Sequence, residues 1–131
     1  MIVARSYNEK EHYDLLCSWW QGHNWTPLPI QALPSNGIVT YYGNKPVSAG
    51  FLYKTDSSIA WLEWLVCDPK AAKEYRSDCI NNTIESLCML ADELGYKLIM
   101  TSVNNIGLKK RLDNHGFQVT DKKMTNYLKV M

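Results

Sequence analysis

The stretch from Lys97 to Val119 places the tightest limit on what this chain can fold into. Lys97–Val103 is short, apolar and rich in β-formers. Asn104-Asn105 then opens a helical stretch in which Leu108 and Leu112, four apart, share one face while basic residues take the others. Asn114-His115-Gly116 closes it, the glycine supplying the left-handed residue that ends many helices. Gln118-Val119 begins another strand candidate. A strand that reaches the next strand through a helix needs a crossover, and a crossover makes a parallel pair. The sheet is therefore expected to be at least partly parallel.

The upstream pattern is different. Ile2–Arg5 reads as a strand, and Tyr13, Leu16, Cys17 and Trp20 recur at helical spacing within 9–22, after Ser6 or Asn8 and ahead of Gly22. Residues 23–37 hold Pro27, Pro29, Pro34 and Gly37 and read as a long irregular connection with room for a helical turn at 30–33. Strands at 38–42, 47–53 and 59–67 are separated by the turns 43–46 and 55–58, which gives an antiparallel meander. Asp68-Pro69 stops the third. An apolar stripe through Cys79, Ile80, Thr83, Ile84, Leu87, Leu90, Ala91 and Leu94 marks a helix over 78–94, closed by Gly95. A strand at 98–103, a helix at 105–115 and a last strand at 118–120 or 124–130 complete the order β-α-β-β-β-α-β-α-β.

At 131 residues the chain fits one domain, 1–131, and 46% hydrophobic residues suffice for a core. No apolar run approaches the length of a membrane span. The first residues lack the basic-then-apolar layout of a secretory leader, so a cytoplasmic protein with reduced thiols at Cys17, Cys67, Cys79 and Cys88 is expected. The three histidines have no ligand-like spacing, and no metal is expected. Charge is uneven. Residues 1–96 carry seven Lys/Arg against eleven Asp/Glu, a net of −4, while residues 97–131 carry seven against two, a net of +5. The total of +1 speaks against a nucleic-acid partner, whereas the basic end suits an anionic ligand or a solvated helix face.

The element order, with an Asn-opened helix closed by Gly116-Phe117, resembles the GCN5-related N-acetyltransferase (GNAT) family over nearly the whole chain. The resemblance implies a mixed α/β sheet with an antiparallel first half, a parallel pair that splays apart after residue 65, and helices on both faces. It implies acetyl-CoA, or another acyl-CoA, as co-substrate and an amine as acceptor, either a small molecule or a protein. A homodimer is left open.

In this family a loop and helix start of the form Gln/Arg-x-x-Gly-x-Gly/Ala cradle the cofactor pyrophosphate on backbone N–H groups. The matching residues are Arg76-Ser77-Asp78-Cys79-Ile80-Asn81, with Cys79 and Asn81 where small residues usually stand. Cofactor contacts are therefore expected from Lys73, Arg76, Ser77, Asp78 and Cys79. Backbone groups near Leu65, Val66 and Cys67 are expected against the pantetheine arm, and Asn105 and Lys109 near the adenine end. Many members protonate the leaving thiolate with a tyrosine on the last helix. Here that position is Leu112, and Tyr75 and Tyr127 are the other hydroxyl candidates.

Glu63 is the one acidic side chain of the 59–67 strand. A carboxylate among apolar neighbours is costly to bury and titrates high, as a general base for an acceptor amine requires. Strict alternation would put Trp61, Glu63 and Leu65 on one face and Leu62, Trp64 and Val66 on the other. Trp19, His23 and Trp25 are candidate substrate-binding residues, because the end of the first helix and the long loop wall the acceptor site in the resembling fold, and Trp61 joins them because it shares a face with Glu63. Three functions fit the sequence: an acyl-CoA N-acyltransferase, an inactive GNAT-fold interaction or inhibitor protein, and a GNAT-related nucleobase-modifying enzyme.

Overall fold

The computed structural model describes residues 1–131. In chain order the elements are β1 (Ile2–Ser6), α1 (Glu9–Gly22), a 3-10 turn (Ile30–Ala32), β2 (Gly37–Tyr42), β3 (Lys45–Tyr53), β4 (Ile59–Cys67), α2 (Lys73–Glu93), β5 (Leu98–Met100) and α3 (Ile106–Asn114). The strands form one sheet in the order β1-β2-β3-β4-β5. The first three pairings are antiparallel and β4–β5 is parallel, as the crossover through α2 requires.

Local signals set the helix starts. Asn8 caps α1 by accepting the Glu11 N–H at 3.1 Å, and Asn105 caps α3 by accepting the Leu108 N–H at 3.1 Å. One face of the sheet packs on α1, where Val39, Ala49, Phe51 and Val66 meet Leu16, Trp19 and Trp20. The other packs on α2 and α3, where Leu52, Ala60, Leu62 and Leu65 meet Ile80, Ile84, Leu87 and Leu112. Each fully buried Val, Leu, Ile or Phe side chain among these contributes about 1.5–3 kcal/mol. Gly50 lets α2 approach closely: a Cβ there would stand 2.8 Å from Leu87 Cδ1 and 2.9 Å from Leu65 Cδ2.

Two buried polar clusters are internally paired. Between the sheet and α2, Thr83 Oγ1 lies 2.7 Å from Thr40 Oγ1 and 2.8 Å from Ser48 Oγ, and donates to the Cys79 carbonyl at 3.1 Å. Under α1, the Asn8 N–H donates to His12 Nδ1 at 2.9 Å, so Nε2 carries the proton and donates to the Tyr41 hydroxyl at 2.7 Å. Burial lowers the His12 pKa and keeps the ring neutral.

Four expectations are corrected. First, β4 does not alternate throughout. Ala49 pairs with Val66 but Phe51 pairs with Glu63, so Gly50 faces a bulge, and Trp64 takes φ 63° within it. The extra residue shifts the parity: Trp61 and Glu63 do share a face, but Leu65 joins Leu62 on the α2 face and Val66 turns to the α1 face. Second, the parallel pair parts earlier than residue 65, after Trp61 opposite Met100, and β5 stops there rather than at 103. Third, no strand forms at 118–120 or 124–130; α3 is the last regular element. A strand exists through its ladder, and a three-residue β5 offers a new partner almost no edge. Fourth, α2 begins at Lys73, not near 78.

No helix is long and apolar enough to cross a membrane. The four cysteines are free thiols, Cys79 buried and the others half-buried.

Candidate functional site

Beyond Trp61 the β5-facing backbone edge of β4 has no strand partner. A cleft of about 260 Å³ lies at this end of β4. Leu65, Val66 and Cys67 line it from the sheet, Arg76, Ile80 and Thr83 from α2, Asn105, Leu108 and Arg111 from the α3 segment, and His23 and Trp25 from the loop after α1. Five of the anticipated cofactor residues and two of the anticipated acceptor residues thus meet in one place.

The cleft is cationic. Arg76 and Arg111 line it, and no carboxylate lies within ion-pair distance of either. Arg111 is anchored at both ends of its fork, Nη2 donating to Ser77 Oγ at 3.1 Å and Nη1 to the Gly107 carbonyl at 3.2 Å, while its buried Nε has no partner. Burial pushes the Cys67 thiol up, and the Arg76 and Arg111 guanidiniums partly offset this. Two unpaired guanidiniums in one concavity favour an anion.

The loop after α1 is fastened to the cleft rim. His23 Nε2 donates to the Cys67 carbonyl at 2.8 Å, and Trp25 stacks on the His23 ring at 4.7 Å between centroids. Tyr13 and Tyr53 hold the rest of the loop, donating to the Leu28 carbonyl at 2.6 Å and the Ala32 carbonyl at 2.7 Å.

Glu63 stands in the gap between the diverging strands. Its Oε1 accepts the Ser102 N–H at 3.2 Å. Burial raises its pKa to about 6, with the Ser102 hydrogen bond pulling the other way. Tyr53 shares this environment: burial raises its pKa, the Trp64 indole N–H hydrogen bond lowers it, and the Glu63 charge raises it.

Several anticipated residues lie elsewhere. Trp19 is a correction: it is 3% exposed and packs in the core under α1 rather than walling a substrate site. Cys79 is also corrected, being fully buried against Val47 and Ala71. Ser77 and Asp78 fall within α2, where backbone N–H groups are already spent on helical bonds. The free amides of that helix start belong to Lys73, Glu74 and Tyr75, because the Arg76 N–H already bonds the Ala72 carbonyl. Lys73 and Lys109 are exposed and do not line the cleft, and Trp61 sits upstream beside Glu63. Leu112 is buried, Tyr75 stacks on Tyr42 and Tyr127 is 93% exposed, so no tyrosine lines the cleft. Arg111 is the residue that sequence reasoning missed. Its signal was present, since it lies three residues after Leu108 and so shares that helix face. No group of His, Cys, Asp and Glu side chains is arranged to hold a metal ion.

The arrangement is that of the GNAT fold: a mixed five-stranded sheet, antiparallel through β4, with a parallel β4–β5 pair and helices on both faces. No protein-family model and no curated protein matches the sequence. Solved structures do match in fold. A Trypanosoma brucei acetyltransferase is 17% identical, covering 98% of this chain and 100% of its own, with a TM-score of 0.65. A Mycobacterium tuberculosis protein solved in complex with CoA is 12% identical over 94% of this chain and 76% of its own, with a TM-score of 0.74. The aminoglycoside N-acetyltransferase AAC(6')-Iy, also solved with CoA, is 14% identical over 99% of this chain and 96% of its own, with a TM-score of 0.69.

Proposed function

We propose that this chain is an acyl-CoA-dependent N-acyltransferase acting on an amine. The observation that carries this reading is the open edge of β4. From Leu62 to Cys67 the strand lacks its parallel partner and runs into a cleft that holds two unpaired guanidiniums. An extended chain of amides ending in phosphates matches that combination, hydrogen-bonding to strand backbone along its length and meeting positive charge at its end. Similar folds solved with CoA support the same reading.

Acyl-CoA supplies an activated acyl carbon as a thioester. On this reading, a backbone N–H on the open edge of β4 between Leu65 and Cys67 hydrogen-bonds the thioester oxygen as negative charge grows on it. Arg76 and Arg111 neutralise phosphate charge, in place of the glycine loop that this chain lacks. Glu63 takes the proton from the acceptor ammonium, so that the nitrogen attacks as a free amine. With Leu112 buried where a tyrosine could have donated, the leaving thiolate takes its proton from solvent. A thiol pKa of about 8.5 makes that adequate.

Isothermal calorimetry with acetyl-CoA tests this reading. Wild type binds, and Arg76→Glu weakens binding by one to two tenfold steps, about 1.4 kcal/mol each. Absence of binding by wild type removes acyl transfer.

A further inference from the structure

Upstream of the acyl-CoA cleft, β4 carries a second group of side chains that cofactor binding leaves unexplained. Trp64 is held at φ 63°, a conformation that bulky residues rarely adopt and that persists only where the surroundings enforce it. Its ring is not buried as recompense, being 42% exposed. Instead it is clamped: indole Nε1 donates to the Tyr53 hydroxyl at 2.8 Å, and that hydroxyl donates to the Ala32 carbonyl. The bulge therefore spends backbone strain to present an aromatic face at a fixed position.

Next to it is Glu63, half-buried on the same face as Trp61 and Tyr53, as their pairing across β3 and β4 places them. Glu63 has one backbone hydrogen bond and no ion pair. A half-buried carboxylate without a cation is expensive unless a ligand supplies the cation. Aromatic faces beside it favour the same charge and also cover apolar surface. An anionic acceptor would be repelled, and a neutral one would leave Glu63 uncompensated. One carboxylate matches one ammonium.

We infer that the acceptor is an organic cation, a single primary or secondary ammonium carried on a flat apolar body. The nitrogen sits at Glu63 and the body lies against the Trp64–Tyr53 pair. This deepens the acyltransfer reading and rests on it, naming the acceptor class that the site selects.

The test titrates the full chain, without acyl-CoA, with 2-phenylethylamine at pH 7.5 and with 2-phenylethanol, a neutral molecule of similar shape. The amine is expected to bind at least tenfold more tightly. Trp64→Gly removes the ring while placing at the left-handed position the residue that suits it, so the fold is preserved, as circular dichroism checks. Amine affinity in Trp64→Gly and in Glu63→Gln is expected to fall about tenfold or more. Equal binding of amine and alcohol, no amine binding, or an unchanged affinity in Trp64→Gly overturns the inference. Acetyl-CoA titrated into the same proteins reads the other claim separately. Lost acetyl-CoA binding with selective amine binding removes acyl transfer and keeps the cation site; the converse removes the cation site alone.

Discussion

His23 Nε2 and the carbonyl oxygen of Cys67 lie 2.8 Å apart across 44 residues of sequence, tying the end of α1 to the end of β4. Beside this bond Gly22 meets Pro69 so closely that a Cβ would stand 2.6 Å from the ring Cγ. The loop that walls the cleft thus starts from a fixed point, with Trp25 stacked on the same imidazole.

His23→Phe keeps a ring for Trp25 to stack on and removes the donor. The expected loss is about 0.5–1.5 kcal/mol of stability by urea unfolding. Amide exchange over residues 23–26 should accelerate. Unchanged protection there would show that the loop is held by Tyr13 and Tyr53 alone.

Gly22→Ala should destabilise the fold by about 1–3 kcal/mol, because a proline ring in contact has little freedom to move aside. In a Pro69→Ala background the cost should shrink, giving a measurable coupling between the two sites. Additive effects would place the strain elsewhere.

Glu63 should leave a signature in stability against pH. Burial lifts its pKa to about 6 in the folded chain from an ordinary value of 4.5. Between these values the folded state binds more protons than the unfolded state, so its contribution to stability falls as pH rises through the window and stays lower above it. Glu63→Gln should remove that slope and melt at or above the wild-type temperature at pH 7.5. If Gln melts lower there, the carboxylate is worth more to the fold than its burial costs.

Arg111 should matter through its charge. If the cleft takes acyl-CoA as proposed, Arg111→Gln is expected to weaken acetyl-CoA binding about tenfold and to flatten its dependence on salt, since one of the two cleft cations is gone. Arg111→Lys keeps the charge but loses the fork that bridges Ser77 and the Gly107 carbonyl, and should recover the salt dependence more fully than the affinity. A salt slope unaltered in Gln would make Arg111 a strut between α2 and α3.

The sequence by itself determined the elements whose signals are local. Asn105 caps α3 where the sequence opened a helix at Asn104-Asn105, and of the two candidates Ser6 and Asn8 it is Asn8 that caps α1, because a short side-chain acceptor next to free N–H groups acts within one turn. The meander from residue 38 to 67 and the crossover to Leu98 followed from alternation, turn residues and helix spacing, all short-range. The tertiary structure alone decided where those elements stop agreeing with their own pattern. The bulge at Trp64 lies opposite Gly50 on the neighbouring strand, and it reverses the facing of Leu65 and Val66. The fate of residues 118–130 and of Trp19 turned on what lay beside them, an edge too short to extend and a core that took the indole. Arg111 and His23 reach the cleft from opposite ends of the chain. Periodicity reports which face of an element is apolar, but a site depends on which faces of distant elements meet, and that is settled only when the whole sheet and its helices pack.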